Sequence, residues 1–426
     1  NYAVIYKKQG KDPNEKKMTK PEITPIITNR DVTSPFLVEV QESAVKPIEP
    51  VFLDYQKDMS QLKAKSDIPV IYKQNVANDL FQLIYVFDMG NNHDKALGTA
   101  FDYLEYLGTS DMTPEELKSE FYRLACTFYV SPGNERTYVV LSGLNENMPA
   151  AVQLFEKLLA DAQVNKEAYA NMTSDILKAR SDAKLNQGQN FSRLMSFAMY
   201  GPKSPATNLL TEAELTNMNP QELVDRIHNQ NSYKHRILYY GPSSSKDLLA
   251  TINQYHQVPA ALKDIPAGNE YSYLETPVTK VLVAPYDAKQ IYMAQISNLD
   301  KKYDPAIEPI RALYDEYFGG GMNSIVFQEM RETRGLAYSA WASIMPPSYL
   351  KSPYVLRTQI ATQNDKMIDA VTTFNDIINN MPESEAAFKL AKDGLTNRLR
   401  TERIIKGDII WSYMNAQDLG QNVDPR

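Results

Sequence analysis

Two stretches of this chain repeat one another at long range. Tyr103-x-Glu105-Tyr106-x-Gly108 recurs as Tyr314-x-Glu316-Tyr317-x-Gly319, an offset of 211 residues. Met148, Ala151, Val152 and Phe155 recur as Met367, Ala370, Val371 and Phe374 at an offset of 219, and Tyr169 recurs as Phe388 at that same offset. Landmarks kept in order at near-constant spacing point to one domain plan used twice, and a period this long is a domain rather than a solenoid repeat. The chain of 426 residues has room for two such cores.

The element pattern agrees. Pro69 to Lys73 and Leu80 to Asp88 read as strands, the second apolar on both faces and therefore buried, and Val51 to Tyr55 reads as another strand. A helix from Lys95 to Leu107 carries Leu97, Phe101, Leu104 and Leu107 on one stripe and stops at Gly108. Thr113, Pro114 and Glu116 spell a capping box that opens the next helix. Strand 137–141, helix 150–162, one long helical stretch from 166 into the 190s, helix 220–227, strand 237–240 and helix 246–255 follow. The fold class is α+β, a tandem pair of domains each with an antiparallel-rich sheet packed against helices. The second copy runs through helices 393–403 and 408–414, and it lacks the helix, strand and helix with which the first copy closes, so we expect it to be truncated. Ahead of the pair, Tyr2 to Tyr6 reads as a strand and the proline-bearing polar stretch after it as a linker. The expected division is residues 1–45, 46–267 and 268–426.

Within the second copy, Gly319-Gly320-Gly321 forms a flexible turn into a short helix that Gly335 stops. A strand follows in which Leu336, Tyr338, Ala340, Ala342 and Ile344 alternate with Ala337, Ser339, Trp341 and Ser343. The Gly335 reversal brings Arg331, in the last helical turn, back toward Tyr338. A guanidinium and a phenol together can bind a peptide carbonyl. On spacing alone the two are also what any helix end and half-buried strand would carry.

Composition excludes several functions. Apolar content of 43% with 23% charged residues describes a globular chain. Net charge is −7 with no basic cluster, which argues against nucleic acid as a partner, and no apolar run reaches the roughly 18 residues of a membrane helix. A single cysteine, Cys126, in an apolar stretch, reads as a buried structural thiol. The four histidines, His93, His228, His235 and His256, have no partner within four positions, so none forms a helical metal pair, and all read as structural. The glycine triplet lacks the Lys-Ser/Thr of a phosphate-binding loop.

The run Gly-Gly-Gly-Met-x-Ser-x-x-Phe-Gln-Glu-x-Arg-Glu-x-Arg-Gly-Leu-Ala-Tyr-Ser, residues 319–339, resembles the C-terminal signature of the pitrilysin/insulinase family of inverted-motif zinc metallopeptidases. The resemblance extends from about residue 50 to the end. It implies that residues 46–267 are an inactive pitrilysin-like domain and that residues 268–426 are the C-terminal domain carrying the Arg/Tyr pair. By the same resemblance, Tyr338 and Arg331, seven residues apart, bind the scissile carbonyl and adjacent backbone of a peptide held in a clam-like chamber. The family's His-x-x-Glu-His is absent. Thr99, Asp102 and Tyr103 stand where its His, Glu and His would be, so the resemblance implies no metal ligand or cofactor in this chain. Zinc is expected in an N-terminal half of the same polypeptide, which with an unfolded peptide substrate is the expected partner. The chain alone is expected to be inactive, and the family's bacterial members imply a periplasmic or envelope setting. A non-catalytic scaffold or peptide-holding subunit of the same fold is the alternative, and an independent enzyme is disfavoured because no acid, base and nucleophile can be assembled.

Overall fold

Among the described residues nine strands build two sheets, and the alternation of each strand decides what covers each face. The computed structural model describes residues 3–6, 10, 34–44 and 46–426. It divides into two compact units, Asn1–Ile48 and Glu49–Arg426. In the first unit, residues 3–6 are not in a strand, Tyr2 and residues 11–33 of the expected linker lie outside the described residues, and a helix spans Pro35–Glu42.

In the second unit, β1 (Ser60–Lys63), β2 (Pro69–Gln74), β3 (Leu80–Phe87), β4 (Cys126–Pro132), β5 (Thr137–Leu144) and β6 (His235–Gly241) form one sheet, in the order β1-β2-β6-β3-β5-β4. Only β2 and β6 run parallel; every other pair is antiparallel. Strand β3 is apolar on both faces, Gln82 excepted, because both faces are covered. Leu83, Tyr85 and Phe87, with Val139, Leu141, Ile237 and Tyr239, pack beneath helices Leu97–Leu104, Met148–Asp161, Gln221–Asn229 and Ser245–Tyr255. Ile84, Val86, Val140 and Leu238 face the other way, onto Ile409, Ile410 and Met414 of the helix Asp408–Asp418. The expected strand Val51–Tyr55 is not formed; Tyr55 instead joins that outer cluster and its hydroxyl pairs with Ser412 Oγ at 2.8 Å.

The second sheet holds β7 (Gln290–Lys302), β8 (Ala337–Met345) and β9 (Pro353–Gln363) in the order β7-β9-β8, all antiparallel. Its core gathers Phe318, Val326, Met330, Ala342, Ile360, Ala370 and Phe374 beneath helices Glu308–Phe318 and Met367–Asn379. The long helical stretch expected from residue 166 is two helices, Lys166–Ala183 and Gln187–Tyr200, because Asn186 turns extended and its side chain caps Gln189 N–H. The second of them reaches β7: Phe191 packs edge-on to Tyr292 at 5.6 Å, and Gln187 Nε2 donates to Gln290 O at 2.7 Å. Each sheet thus receives a helix from the far part of the chain. The Asp408–Asp418 exchange is held by Arg136, which donates to Asp88 and Asp418, both at 2.6 Å.

Candidate functional site

The approach to Arg331 and Tyr338 begins at the glycine triplet, which is close-packed. Gly319 follows helix Glu308–Phe318 and lies so near β8 that a Cβ there would fall 2.1 Å from Ala342 O and 2.6 Å from Ala342 N. At Gly320 a Cβ would meet Asp315 O at 2.8 Å, while Gly321 has nothing closer than Glu316 Oε1 at 3.7 Å. The expected flexible turn is therefore a packing contact in its first two residues. Because backbone cannot move aside, Gly319→Ala is expected to cost about 1–3 kcal/mol and Gly321→Ala less than about 0.5 kcal/mol. Urea midpoints of the two variants check this; equal midpoints would remove the contact as the reason for Gly319.

Ser324, fully buried, then caps a short turn: its Oγ accepts from Phe327 N–H at 3.4 Å. After one α-turn, Ile325–Phe327, the chain widens into a π-helical turn, Gln328–Thr333. Such widened turns recur at functional sites because they re-aim the side chains they carry. The turn closes through Leu336 N–H to Met330 O (2.8 Å) and Gly335 N–H to Arg331 O (3.1 Å), with Gly335 left-handed at φ +56°. Lys366 Nζ donates to Gly335 O at 2.9 Å and Thr362 Oγ1 to Leu336 O at 2.5 Å, so the reversal is clipped from β9's side.

The reversal does bring Arg331 and Tyr338 together. The guanidinium carbon lies 4.7 Å from the centre of the Tyr338 ring and 4.9 Å from that of Phe327. Held between two rings, the guanidinium keeps its N–H edge free to donate, and each stacking contributes about 0.5–1 kcal/mol at an exposed position. Its charged partner is Glu332, at a long 3.5 Å.

The simple alternation expected along β8 fails at Tyr338. Ala337 pairs with Thr362 and Ser339 with Ala361, so Tyr338 is the extra residue of a β-bulge. Ala337 therefore turns to the core, on the face Ala342 occupies, and Tyr338 is thrown outward at 79% exposure. A regular strand would have buried the phenol. Both side chains line a cleft of about 290 Å³ with Gln290, Gly335, Gln363 and Lys366. No carboxylate or imidazole lines it, and its side chains can donate to a carbonyl oxygen.

Of Thr99, Asp102 and Tyr103, which the resemblance set at the positions of the metal motif, Tyr103 is occupied otherwise. Tyr103 is buried, its hydroxyl donating to Asn165 O (2.6 Å) and accepting from Asn165 N–H (2.8 Å). Beside the second sheet a bridge of the same kind is made by Tyr317, which donates to Pro382 O (2.6 Å) and accepts from Ser384 N–H (3.0 Å). Sequence spacing aligns Tyr103 with Tyr314 instead, one helical turn away. Cys126 is buried, and burial pushes its thiol up, which disfavours the reactive thiolate.

Two histidines that sequence separates are joined in the core. His235 Nε2 meets His256 Nε2 at 2.8 Å, and His256 Nδ1 meets Glu156 Oε1 at 2.6 Å. Glu156 Oε2 accepts from Asn231 Nδ2 (2.9 Å) and Gln257 N–H (3.0 Å), and His235 Nδ1 lies 2.7 Å from Tyr233 O. A carbonyl only accepts, so His235 carries its proton on Nδ1 and receives one from His256 at Nε2. One proton then lies between His256 Nδ1 and Glu156. Strand and helix placement, not helical spacing, brings these groups together, and no local sequence signal marks it.

Residues 237–395 match the family described as the peptidase M16 inactive domain. Over that span the chain is similar to the peptidase M16 inactive-domain family. The wider comparisons agree. An uncharacterized zinc protease of Rickettsia felis is 20% identical over 263 residues, a match that spans 58% of this chain and 60% of that protein. The crystal structure of a peptidase M16 inactive domain from Pseudomonas fluorescens superposes with a TM-score of 0.62 at 16% identity, covering 85% of this chain and 88% of that one. The periplasmic protease PqqL from Escherichia coli superposes with a TM-score of 0.68 at 14% identity, and 96% of this chain covers 45% of it. The mixed helix-and-sheet fold is thus that of M16 domains.

The zinc that the family implies does not fit the residues here. Among the described residues no group of three or more His, Cys, Asp and Glu is arranged to hold a metal ion. The Tyr103 hydroxyl is saturated by Asn165, and the one pair of adjacent imidazoles is spent on Glu156 and Tyr233. No described helix is long and apolar enough to cross a membrane.

Proposed function

We propose that this M16 chain is the non-zinc half of a two-half metallopeptidase, and that it binds the peptide backbone through Arg331 and Tyr338. The observation that carries this reading is the guanidinium stacked on Phe327 and Tyr338, beside a bulged-out phenol, at a cleft without carboxylate or imidazole. A carbonyl oxygen gains negative charge as hydrolysis proceeds. Donors fixed where that charge grows favour the transition state over the bound substrate. In this reading Tyr338 Oη donates to the scissile carbonyl and Arg331 to the neighbouring backbone. A catalytic half facing this one across a clam-like chamber would supply the metal, its ligands and the base. The 45% coverage of PqqL supports a partner of comparable size, and the periplasm is the setting that neighbour suggests.

The same reading divides the chain at 1–45, 46–267 and 268–426 and treats the last two parts as copies. In support, β3-β5-β4 and β7-β9-β8 share order and antiparallel sense, and helices Lys166–Ala183 and Glu385–Thr401 start 219 residues apart.

Zinc content and peptide cleavage, measured on this chain alone and on the longer polypeptide that carries it, test the division of labour. Zinc and hydrolysis in the longer polypeptide only is the expected result. Stoichiometric zinc in this chain alone would refute it, and neither activity in either protein would favour the scaffold.

A further inference from the structure

The cleft beside Arg331 and Tyr338 holds a second cation that the proposed chemistry leaves unused. Lys366 follows the end of β9 and precedes the helix Met367–Asn379. It is half-buried, with Asp365 and Asp369 close by in sequence, yet among the described residues it forms no ion pair. Lys57, Lys95, Lys157, Lys234 and Lys351, by contrast, each meet a carboxylate. The Lys366 ammonium crosses instead to the turn before β8 and donates to Gly335 O at 2.9 Å. That bond takes one of its three N–H donors and fixes the charge at the cleft, with two donors to spare.

The rest of the lining adds donors and no counter-charge. Gln290 and Gln363 face one another in the register of β7 and β9, and both line the cleft. Arg331 and Lys366 thus place two positive charges in one concave site of about 290 Å³ that no carboxylate lines, in a chain whose net charge is −7. Like charges gathered in a concave site raise its potential and favour an anion there. An unmodified peptide carries one kind of anion, the carboxylate. We propose that this cleft selects peptides by a carboxylate, with Lys366 as the specificity-determining residue and the Gln290 and Gln363 amides as neutral donors beside it. The proposal rests on the reading that Arg331 and Tyr338 hold the peptide backbone here: those two take carbonyl oxygens, and the ammonium fixed through Gly335 takes the charged group. Charge-assisted N–H to carboxylate bonds are the stronger kind, so the preference acts on affinity directly.

Calorimetric titration of this chain with short synthetic peptides tests the subsite. The reference peptide is neutral, glutamine-bearing and blocked at both ends. One set replaces a single glutamine by glutamate at each position in turn, and another frees the C-terminal carboxyl. A carboxylate-bearing peptide is expected to bind roughly threefold to tenfold tighter than the reference, with a smaller ratio in about 0.5 M salt. Preference for glutamate at one position assigns the site to an acidic side chain, and preference confined to the free end assigns it to the peptide terminus. Lys366→Met should erase the ratio and Lys366→Arg should keep it. Failure of the backbone reading is visible separately, since Arg331→Ala would then leave the neutral peptide's affinity unchanged. Equal affinity for charged and neutral peptides, binding of neither, or a ratio that survives Lys366→Met while all binding weakens or holds would each overturn the subsite.

Discussion

Tyr338→Phe and Arg331→Ala, made in the two-half peptidase proposed above, are each expected to lower kcat by roughly 10²-fold or more, the effect of losing one donor to a developing oxyanion. The phenylalanine variant is the more telling. It keeps the ring on which Arg331 stacks at 4.7 Å and removes only the hydroxyl, which has no protein partner among the described residues. With Tyr338 79% exposed, its thermal midpoint should stay within about a degree or two, so a kinetic loss cannot be a folding loss. Steady-state kinetics on a peptide substrate separates the roles. A fall in kcat at near-constant KM places the hydroxyl in the transition state. A rise in KM alone would leave both residues as plain substrate contacts, and the proposed role would be withdrawn.

The helix, turn and strand that carry this pair were legible because each has a local signal: glycine at the reversal, a run of strand formers, and a spacing that resembles a family signature. What re-aims Tyr338 was not legible. A bulge is set by the register against β9, where Thr362 and Ala361 face Ala337 and Ser339, and nothing in residues 336–344 alone reports that register. The two-faced burial of Leu80–Phe87 could be read from composition, but its outer cover, the helix Asp408–Asp418, comes from more than three hundred residues away. The break at Asn186 is a capping choice that periodicity passes over. The exchange of Tyr314 for Tyr317 shows the limit of matching by spacing, since a shift of one helical turn keeps the same face. The strand expected at Val51–Tyr55 does not form, and Tyr55 packs instead into the outer cluster with Ile409, Ile410 and Met414.

The other large effect is expected in the core beneath the first sheet. Glu156→Ala leaves His256 Nδ1, Asn231 Nδ2 and Gln257 N–H without their shared acceptor in a site closed to water, and should cost about 3–5 kcal/mol. Glu156→Gln should cost far less, because an amide can donate to a neutral His256 Nδ1 while its oxygen still accepts from Asn231 and Gln257. The same network makes this core acid-sensitive. Burial, and then the neighbouring His256, push His235 down to about 3 from its usual 6.5. An unfolded chain takes up a proton below about pH 6.5 that the folded one refuses until about 3. The contribution is therefore complete above 6.5 and is lost at about 1.4 kcal/mol per pH unit as pH falls toward 3. Urea midpoints between pH 7.5 and 4.5 measure the slope. His235→Gln, which can still accept from His256 Nε2–H, should flatten it by that amount, and a variant with an unchanged slope would show that His235 is not the group whose burial sets the acid limit.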